Sequence, residues 1–85
     1  MAKYKIEIKK SAVKELKNIQ KPDLKRIIKK ISSLKNNPRP SGSKRLSNSE
    51  KYRIRQGRYR ILYEILDDIL IVYVVKVGHR KDVYR

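Results

Sequence analysis

Residues 51–77, KYRIRQGRYRILYEILDDILIVYVVKV, hold the clearest structural signal in the chain. Three segments rich in β-branched and aromatic residues are separated by two short polar breaks, Gln56-Gly57 and Asp67-Asp68. Apolar and polar residues that alternate between tight turns are typical of neighbouring antiparallel strands. We therefore predict a meander of three strands, at about 51–56, 58–66 and 69–77.

The alternation also assigns the side chains of the first two strands to opposite faces of the sheet. Alternate apolar residues such as Ile54 and Ile61 are expected to point into the core. The positions between them project from the open face, and most of these are basic: Lys51, Arg53, Arg55, Arg58 and Arg60. The third strand is apolar on both sides, which indicates a central strand or one whose open face is covered.

The preceding half of the chain predicts one more strand and two helices. Residues 3–9 alternate in polarity, as in a half-buried strand. Ser11 is expected to cap a short helix, and Pro22 fits the first position of a longer amphipathic helix that ends near Leu34. Residues 35–50 are expected to form a polar loop. The predicted fold is α+β in the order β-α-α-β-β-β, an antiparallel sheet with a two-helix hairpin packed on one face.

The composition favours a small protein that binds a polyanion. The 85 residues carry 24 Lys+Arg against 8 Asp+Glu, a formal net charge of +16. This length suits a single domain over 1–85, and the charge favours nucleic acid over an anionic membrane surface or an acidic protein. No apolar run reaches the roughly 18 residues of a membrane span, and lysines near the start argue against a signal peptide. With no cysteine and one histidine, we expect a cytoplasmic protein without metal, cofactor or membrane partner.

The arginines of the open face have two interpretations. Charged strand residues are often simply solvated. Alternatively, Arg53, Arg55 and Arg60 could surround one phosphate, because a guanidinium binds phosphate oxygens through two parallel hydrogen bonds and stays charged. Such a cluster could also stabilise the added charge of a pentacoordinate transition state. The spacing alone leaves both interpretations open.

The end of the chain and the polar loop add further candidates. His79 is the one side chain suited to proton exchange near neutral pH. Arg80 could be another phosphate ligand, and Tyr84 could stack on a nucleobase or donate a proton. An ordinary polar tail is the alternative. The pair Lys44-Arg45 in the loop could contact a phosphate backbone, although charged loops are usually only solvated.

These residues together resemble the RelE branch of the RelE/ParE toxins of bacterial and archaeal toxin–antitoxin pairs. The resemblance covers nearly the whole chain and is carried best by GRYRILY at 57–63 and GHRKDVY at 78–84. It implies a RelE-like microbial RNase-type fold and a metal-independent endoribonuclease, an mRNA interferase that cleaves mRNA in the ribosomal A site. Two alternatives remain: a ParE-like inhibitor of DNA gyrase on the same fold, and a basic RNA-binding module without chemistry.

The resemblance also implies roles for individual residues. It gives catalytic roles to Arg53, Arg55, Arg60, Arg80 and Tyr84, and we add His79 as a catalytic candidate because it is suited to proton exchange. We expect RNA contacts from Lys44, Arg45, Lys51 and Arg58. Family members often have lysine where this chain has Arg53 and Arg55, and arginine cannot release its proton. A general base would then be His79 first, Lys51 next and a Tyr84 tyrosinate last, unless orientation and charge stabilisation carry the reaction.

Two partners follow from the same resemblance. One is the ribosome with mRNA in its A site, and the other is a cognate RelB-like antitoxin that wraps the toxin with helical segments. We expect the antitoxin to be acidic where it covers the arginines. We expect it to be apolar where it lies along Leu62, Val72 and Val74.

Overall fold

The computed structural model describes residues 3–46 and 50–79. Its elements, in chain order, are β1 (Lys5–Ile8), α1 (Lys10–Lys17), α2 (Lys21–Ser33), β2 (Lys44–Arg45), β3 (Lys51–Gln56), β4 (Tyr59–Leu66) and β5 (Ile71–His79). The predicted α+β class and the succession of strand, two helices and meander are confirmed. The short strand β2 is an addition, because it lies within the predicted polar loop.

The strands form one sheet in the order β1-β5-β4-β3-β2. The meander β3-β4-β5 is antiparallel, as predicted. The first strand differs from the predicted antiparallel arrangement, because β1 runs parallel to β5, with Lys5 opposite Ile71. The long connection between these two strands includes both helices, and parallel neighbours require such a crossover. Alternation reveals the face of a strand but not its direction.

Both helices pack against the same face of the sheet. Ile27 and Ile31, one turn apart on α2, are buried, and so is Leu34 just after the end of that helix. The strands contribute buried side chains from β3, β4 and β5, namely Ile54, Ile61, Tyr63, Ile65, Val72, Val74 and Val77. This core fixes the other face of the sheet as the open one. Within the described ranges, no helix has the length and hydrophobicity needed to span a membrane.

The helices begin differently from the prediction. The expected cap at Ser11 is wrong, because α1 begins at Lys10 with Lys9 in the capping position and no side-chain hydrogen bond there. The backbone N–H of Lys9 donates to the carbonyl of Val74 at 2.9 Å. The chain therefore passes from strand to helix without a loop, and Ser11 already lies in the first turn. The second helix starts one residue before Pro22, where a missing N–H is still tolerated.

The pairing of β4 with β5 contains a bulge that changes which residues are buried. Leu62 lies opposite Lys76 but Tyr63 lies opposite Val74, so Val75 is an extra residue in β5. Val74 and Val77 consequently both face the helices. The strand also begins later than predicted, at Ile71, after a turn in which Leu70 has a φ of 55°.

This arrangement contradicts the predicted apolar contact of an antitoxin with Val72 and Val74. Val72 and Val74 are completely buried under the helices, and Leu62 is half-buried on the open face. A strand that is apolar on both sides gives no indication of which side is covered. The exposed large apolar side chains in the described residues are instead Ile28, Ile69 and Leu70.

Candidate functional site

The open face of the sheet carries Arg53 and Arg55 on β3 and Arg60 on β4, and we call this surface the arginine face. Arg55 lies directly opposite Arg60 in the antiparallel ladder. Residues in directly opposite positions have Cβ atoms about 4.5–5.5 Å apart, and diagonal neighbours are about 7–8 Å apart. Arg53 is such a diagonal neighbour of Arg60. The register therefore brings together three arginines that the sequence singled out.

Arg60 differs from the other two arginines in its burial. It is the one charged side chain that is buried within residues 3–46 and 50–79, with 1% of its surface exposed. Arg55 is exposed and Arg53 is half-buried. Gly78, the partner of Arg60 on β5, has no side chain. A guanidinium in this surrounding attracts an anion more strongly than one in bulk water, because the local dielectric is lower.

A second row of basic residues runs beside the first. Lys44, Arg53, Leu62 and Lys76 lie side by side across four strands. Lys44, which was predicted to contact RNA, thus lies at the edge of the arginine face. Lys76 was missed because its strand looked uniformly apolar, and the bulge at Val75 is what turns it to this face. A single lysine inside an apolar strand was the available signal.

The other residues predicted to contact RNA do not lie together. Lys51 is on the arginine face, opposite Glu64. Arg45 lies opposite Tyr52, so its side chain belongs to the helix-covered side of the sheet. Arg58 is exposed in the turn between β3 and β4. The register therefore leaves Arg45 and Arg58 apart from the three arginines.

His79 is also separated from the arginines. It lies opposite Tyr59, and the two rings meet edge to face with centroids 5.9 Å apart. The adjacent pair on the same side is Ile61 and Val77, and both of these residues are buried under the helices. His79 therefore lies at the margin of the helix-covered side. Arg80 and Tyr84 lie outside the described residues, and their roles stay predictions.

A network of paired polar groups occupies the opposite end of the sheet. Arg39 donates from Nη2 to Oδ2 of Asp67 at 2.8 Å and from Nε to the Tyr52 hydroxyl at 3.0 Å. The Tyr4 hydroxyl donates to Oδ1 of Asp67 at 2.6 Å. The hydrogen bond from Arg39, and then that from Tyr4, lowers the pKa of Asp67. We call these four residues the paired network; it fastens the loop after α2 to β3 and to the β4–β5 turn.

Tyr63 is a buried residue that connects the paired network to the core. Its hydroxyl donates to the carbonyl oxygen of Pro38 at 2.7 Å, and its ring stacks on Tyr52 with centroids 5.9 Å apart. Burial raises the pKa of Tyr63 to about 12. These contacts were not predicted, because Pro38 lies in a loop for which the sequence indicated only polarity.

Comparison with known proteins identifies the family. The family described as the ParE toxin of the type II toxin–antitoxin system parDE matches residues 6–84. The chain belongs to the RelE/ParE family of type II toxins. A RelE toxin homologue of Methanocaldococcus jannaschii is 36% identical to this toxin over 87 residues, covering 98% of this chain and 97% of that protein. The mRNA interferase toxin RelE of Escherichia coli K12 is 26% identical over 80 residues, covering 92% and 84%.

Solved structures agree with this assignment. The toxin superimposes on the RelE–RelB complex of Pyrococcus horikoshii with a TM-score of 0.83 and 25% identity, over 92% of this chain and 96% of that chain. The RelB–RelE antitoxin–toxin complex of Methanococcus jannaschii gives a TM-score of 0.74 and 30% identity, over 92% and 94%. The predicted relationship to RelE toxins is thereby confirmed.

Proposed function

We propose that this toxin is a ribosome-dependent endoribonuclease that acts in the cytoplasm as a single domain over 1–85. The observation that carries the proposal is the buried side chain of Arg60, which lies directly opposite Arg55 in the ladder and has Arg53 as its diagonal neighbour. Like charges at directly opposite positions repel one another, and a shared anion would relieve the repulsion. A phosphodiester suits this position. The Escherichia coli relative, named as an mRNA interferase, supports the same activity.

The proposed reaction is an internal transfer at one phosphate of the message. The 2′-hydroxyl oxygen attacks the adjacent phosphorus, the bond from phosphorus to the 5′-oxygen breaks, and the products are a 2′,3′-cyclic phosphate and a 5′-hydroxyl. The pentacoordinate transition state carries more negative charge on its oxygens than the ground state. Arg53, Arg55 and Arg60 would stabilise that charge from fixed positions, which is the largest contribution that such a site can make.

Few side chains of the site can carry out the two proton transfers. One proton must leave the 2′-hydroxyl and one must reach the departing 5′-oxygen. The three arginines cannot exchange protons. His79 is displaced to the side of Tyr59, and Lys51 is on the arginine face beside Glu64. We therefore propose that orientation and charge stabilisation supply most of the rate enhancement, with Arg80 and Tyr84 as further candidates in the site.

The proposed partners are the ribosome and an antitoxin. Relatives have been solved in complex with RelB, which supports a RelB-like antitoxin for this toxin. We propose that acidic residues of the antitoxin cover the arginine face. Its apolar contacts would fall on exposed residues such as Ile28, 45% exposed, since Val72 and Val74 are inaccessible.

The test uses purified toxin and ribosomes programmed with a defined mRNA and an empty A site. We expect new mRNA 3′ ends within the A-site codon, mapped by primer extension. Intact mRNA together with inhibition of gyrase supercoiling would support the ParE-like alternative instead. Intact mRNA together with RNA binding, without inhibition of gyrase, would support a basic RNA-binding module without chemistry.

The histidine is tested separately in the same assay. His79→Gln removes the proton carrier and keeps a polar side chain of similar size. A slower single-turnover rate and a changed pH profile would support His79 as a proton carrier. An unchanged rate would exclude it, in agreement with its place beside Tyr59.

A further inference from the structure

We propose that Glu15 is a positioning residue for the arginine face, a role that rests on the proposed endoribonuclease function. Glu15 lies on α1, and its carboxylate reaches the end of β5. Oε1 accepts a hydrogen bond from the backbone N–H of Val77 at 2.9 Å. Oε2 accepts one from Nζ of Lys76 at 3.1 Å. One side chain thus holds two consecutive residues of the strand.

The carboxylate binds at a point where the sheet lacks a neighbouring strand. β1 pairs with β5 from Ile71 to Val74, and the chain then turns directly into α1. β5 continues to His79, so its outer edge beyond Val74 has a helix beside it instead of a strand. Backbone N–H groups on such an edge need another acceptor. Glu15 provides that acceptor for Val77.

The hydrogen bond from Val77 to Glu15 lies between the bulge of β5 and the residue opposite Arg60. Val75 is the extra residue of the bulge, and bulges locally disrupt the ladder. Two residues later Val77 is held by Glu15, and the next residue, Gly78, lies opposite Arg60. The carboxylate therefore fixes β5 between its irregular segment and the residue that lies opposite Arg60.

The helix gives Glu15 a rigid base for this role. Ala12 and Leu16, which flank it on α1, are buried in the core, so the backbone at Glu15 is held in place. The ion pair with Lys76 joins side chains that are 43% and 30% exposed, and ion pairs this exposed contribute little. We therefore assign the positioning role to the hydrogen bond with the Val77 amide. A carboxylate would repel RNA phosphates, so Glu15 acts through β5 and not through substrate.

The experiment compares three variants of the full chain. Glu15→Ala removes both contacts, and Glu15→Gln keeps an oxygen for the Val77 amide but loses the charge. The control is Glu7→Gln, at an exposed position of β1. For Glu15→Ala we expect a single-turnover cleavage rate about 10- to 100-fold lower, the size of effect that a misplaced catalytic group produces, with unchanged ribosome binding. Glu15→Gln should restore most of the rate, and Glu7→Gln should match the unmodified toxin.

A second measurement does not depend on catalysis. Amide hydrogen exchange at Val77 should be slow in the unmodified toxin and in Glu15→Gln, and faster in Glu15→Ala. If the unmodified toxin cleaved no mRNA, the proposed function would fail, while the exchange data would still show whether Glu15 holds β5. Should Glu15→Ala not fold, Glu15→Asp, one methylene shorter, takes its place with the same expected loss.

Three outcomes would overturn the proposal. The first is a normal cleavage rate in Glu15→Ala. The second is an equal loss of rate in Glu15→Gln and Glu15→Ala, which would make the charge and not the hydrogen bond responsible. The third is a loss confined to ribosome binding, which would make Glu15 part of a docking surface.

Discussion

The two ends of the sheet use arginine in opposite ways. In the paired network, Arg39 has a carboxylate and a tyrosine hydroxyl within 3.0 Å, although its side chain is 45% exposed. On the arginine face, Arg60 is buried and its cross-strand neighbours are Arg55 and Gly78. The first arrangement neutralises a charge and fastens a loop. The second gathers like charges, which opposes folding and favours an anionic ligand.

The comparison leads us to propose a structural role for Arg39 and a functional role for Arg60, on the basis of their neighbours. Arg60 has no Asp or Glu among its register partners, which are Arg55 and Gly78, whereas Lys51 lies opposite Glu64 and Lys76 forms an ion pair with Glu15. A surface selected for stability alone would place opposite charges across the strands, because like charges directly opposite each other are destabilising. Arg60 is therefore expected to matter for activity, and Arg39 for stability.

Arg60→Ala should give the largest effect. It removes a fixed positive charge from the transition state, so we expect the single-turnover cleavage rate to fall about 10²- to 10³-fold with little change in ribosome binding. Arg60→Lys keeps the charge without the planar fork and should recover only part of the rate. The matched control is Arg39→Ala in the paired network, which should cleave normally. Equal losses of cleavage and binding in Arg60→Ala would make Arg60 a docking residue.

Removing two arginines together should change how the toxin's RNA binding depends on salt. For the double variant Arg53→Gln/Arg55→Gln, the slope of log K against log salt should become shallower by about 1.4, since each phosphate contact with single-stranded RNA contributes about 0.7. Filter binding of a short RNA at several salt concentrations measures it. Arg39→Gln should leave the slope unchanged. An identical slope in all three proteins would show that the arginine face does not contact phosphate.

Tyr63→Phe tests the buried tyrosine that stacks on Tyr52 of the paired network. The change leaves the Pro38 carbonyl without its donor and should lower the free energy of unfolding by about 1–3 kcal/mol in urea titrations.

The unmodified toxin should also lose stability between pH 10 and pH 12. The pKa of Tyr63 rises from 10.0 to about 12 on folding, so the neutral form is favoured in the native state. Tyr63→Phe should lose less stability across that range, and an equal loss would contradict the assignment.

Asp67→Asn should give the smallest effect. The contact with Arg39 lowers the pKa of Asp67 in the folded state, so its stabilisation is present above the ordinary value of 3.8 and is lost as the pH falls below it. The variant should therefore melt slightly earlier than the unmodified toxin at pH 7, and the difference should vanish in acid. The effect is small because both side chains are about half exposed. Asp68→Asn, one residue away and also exposed, is the control and should melt normally at both pH values.

Much of the architecture followed from periodicity. The meander, the amphipathic helix ending near Leu34 and the faces of Ile54 and Ile61 were predicted correctly, because burial on one side of an element imposes a repeat on its sequence. The same alternation placed Arg53, Arg55 and Arg60 on one open face. The roles of Arg80 and Tyr84 rest on the resemblance to RelE toxins.

The features that the periodicity missed all depend on contacts between distant residues. The parallel pairing of β1 with β5, the bulge at Val75 and the displacement of His79 are consequences of strand register, which a single strand does not encode. The bonds that link Glu15 to β5 and Arg39 to Asp67 join residues 62 and 28 positions apart. A local pattern can report which side of a segment is buried. It cannot report which neighbour covers that side, and this choice decides whether an arginine lies beside a carboxylate or opposite another arginine.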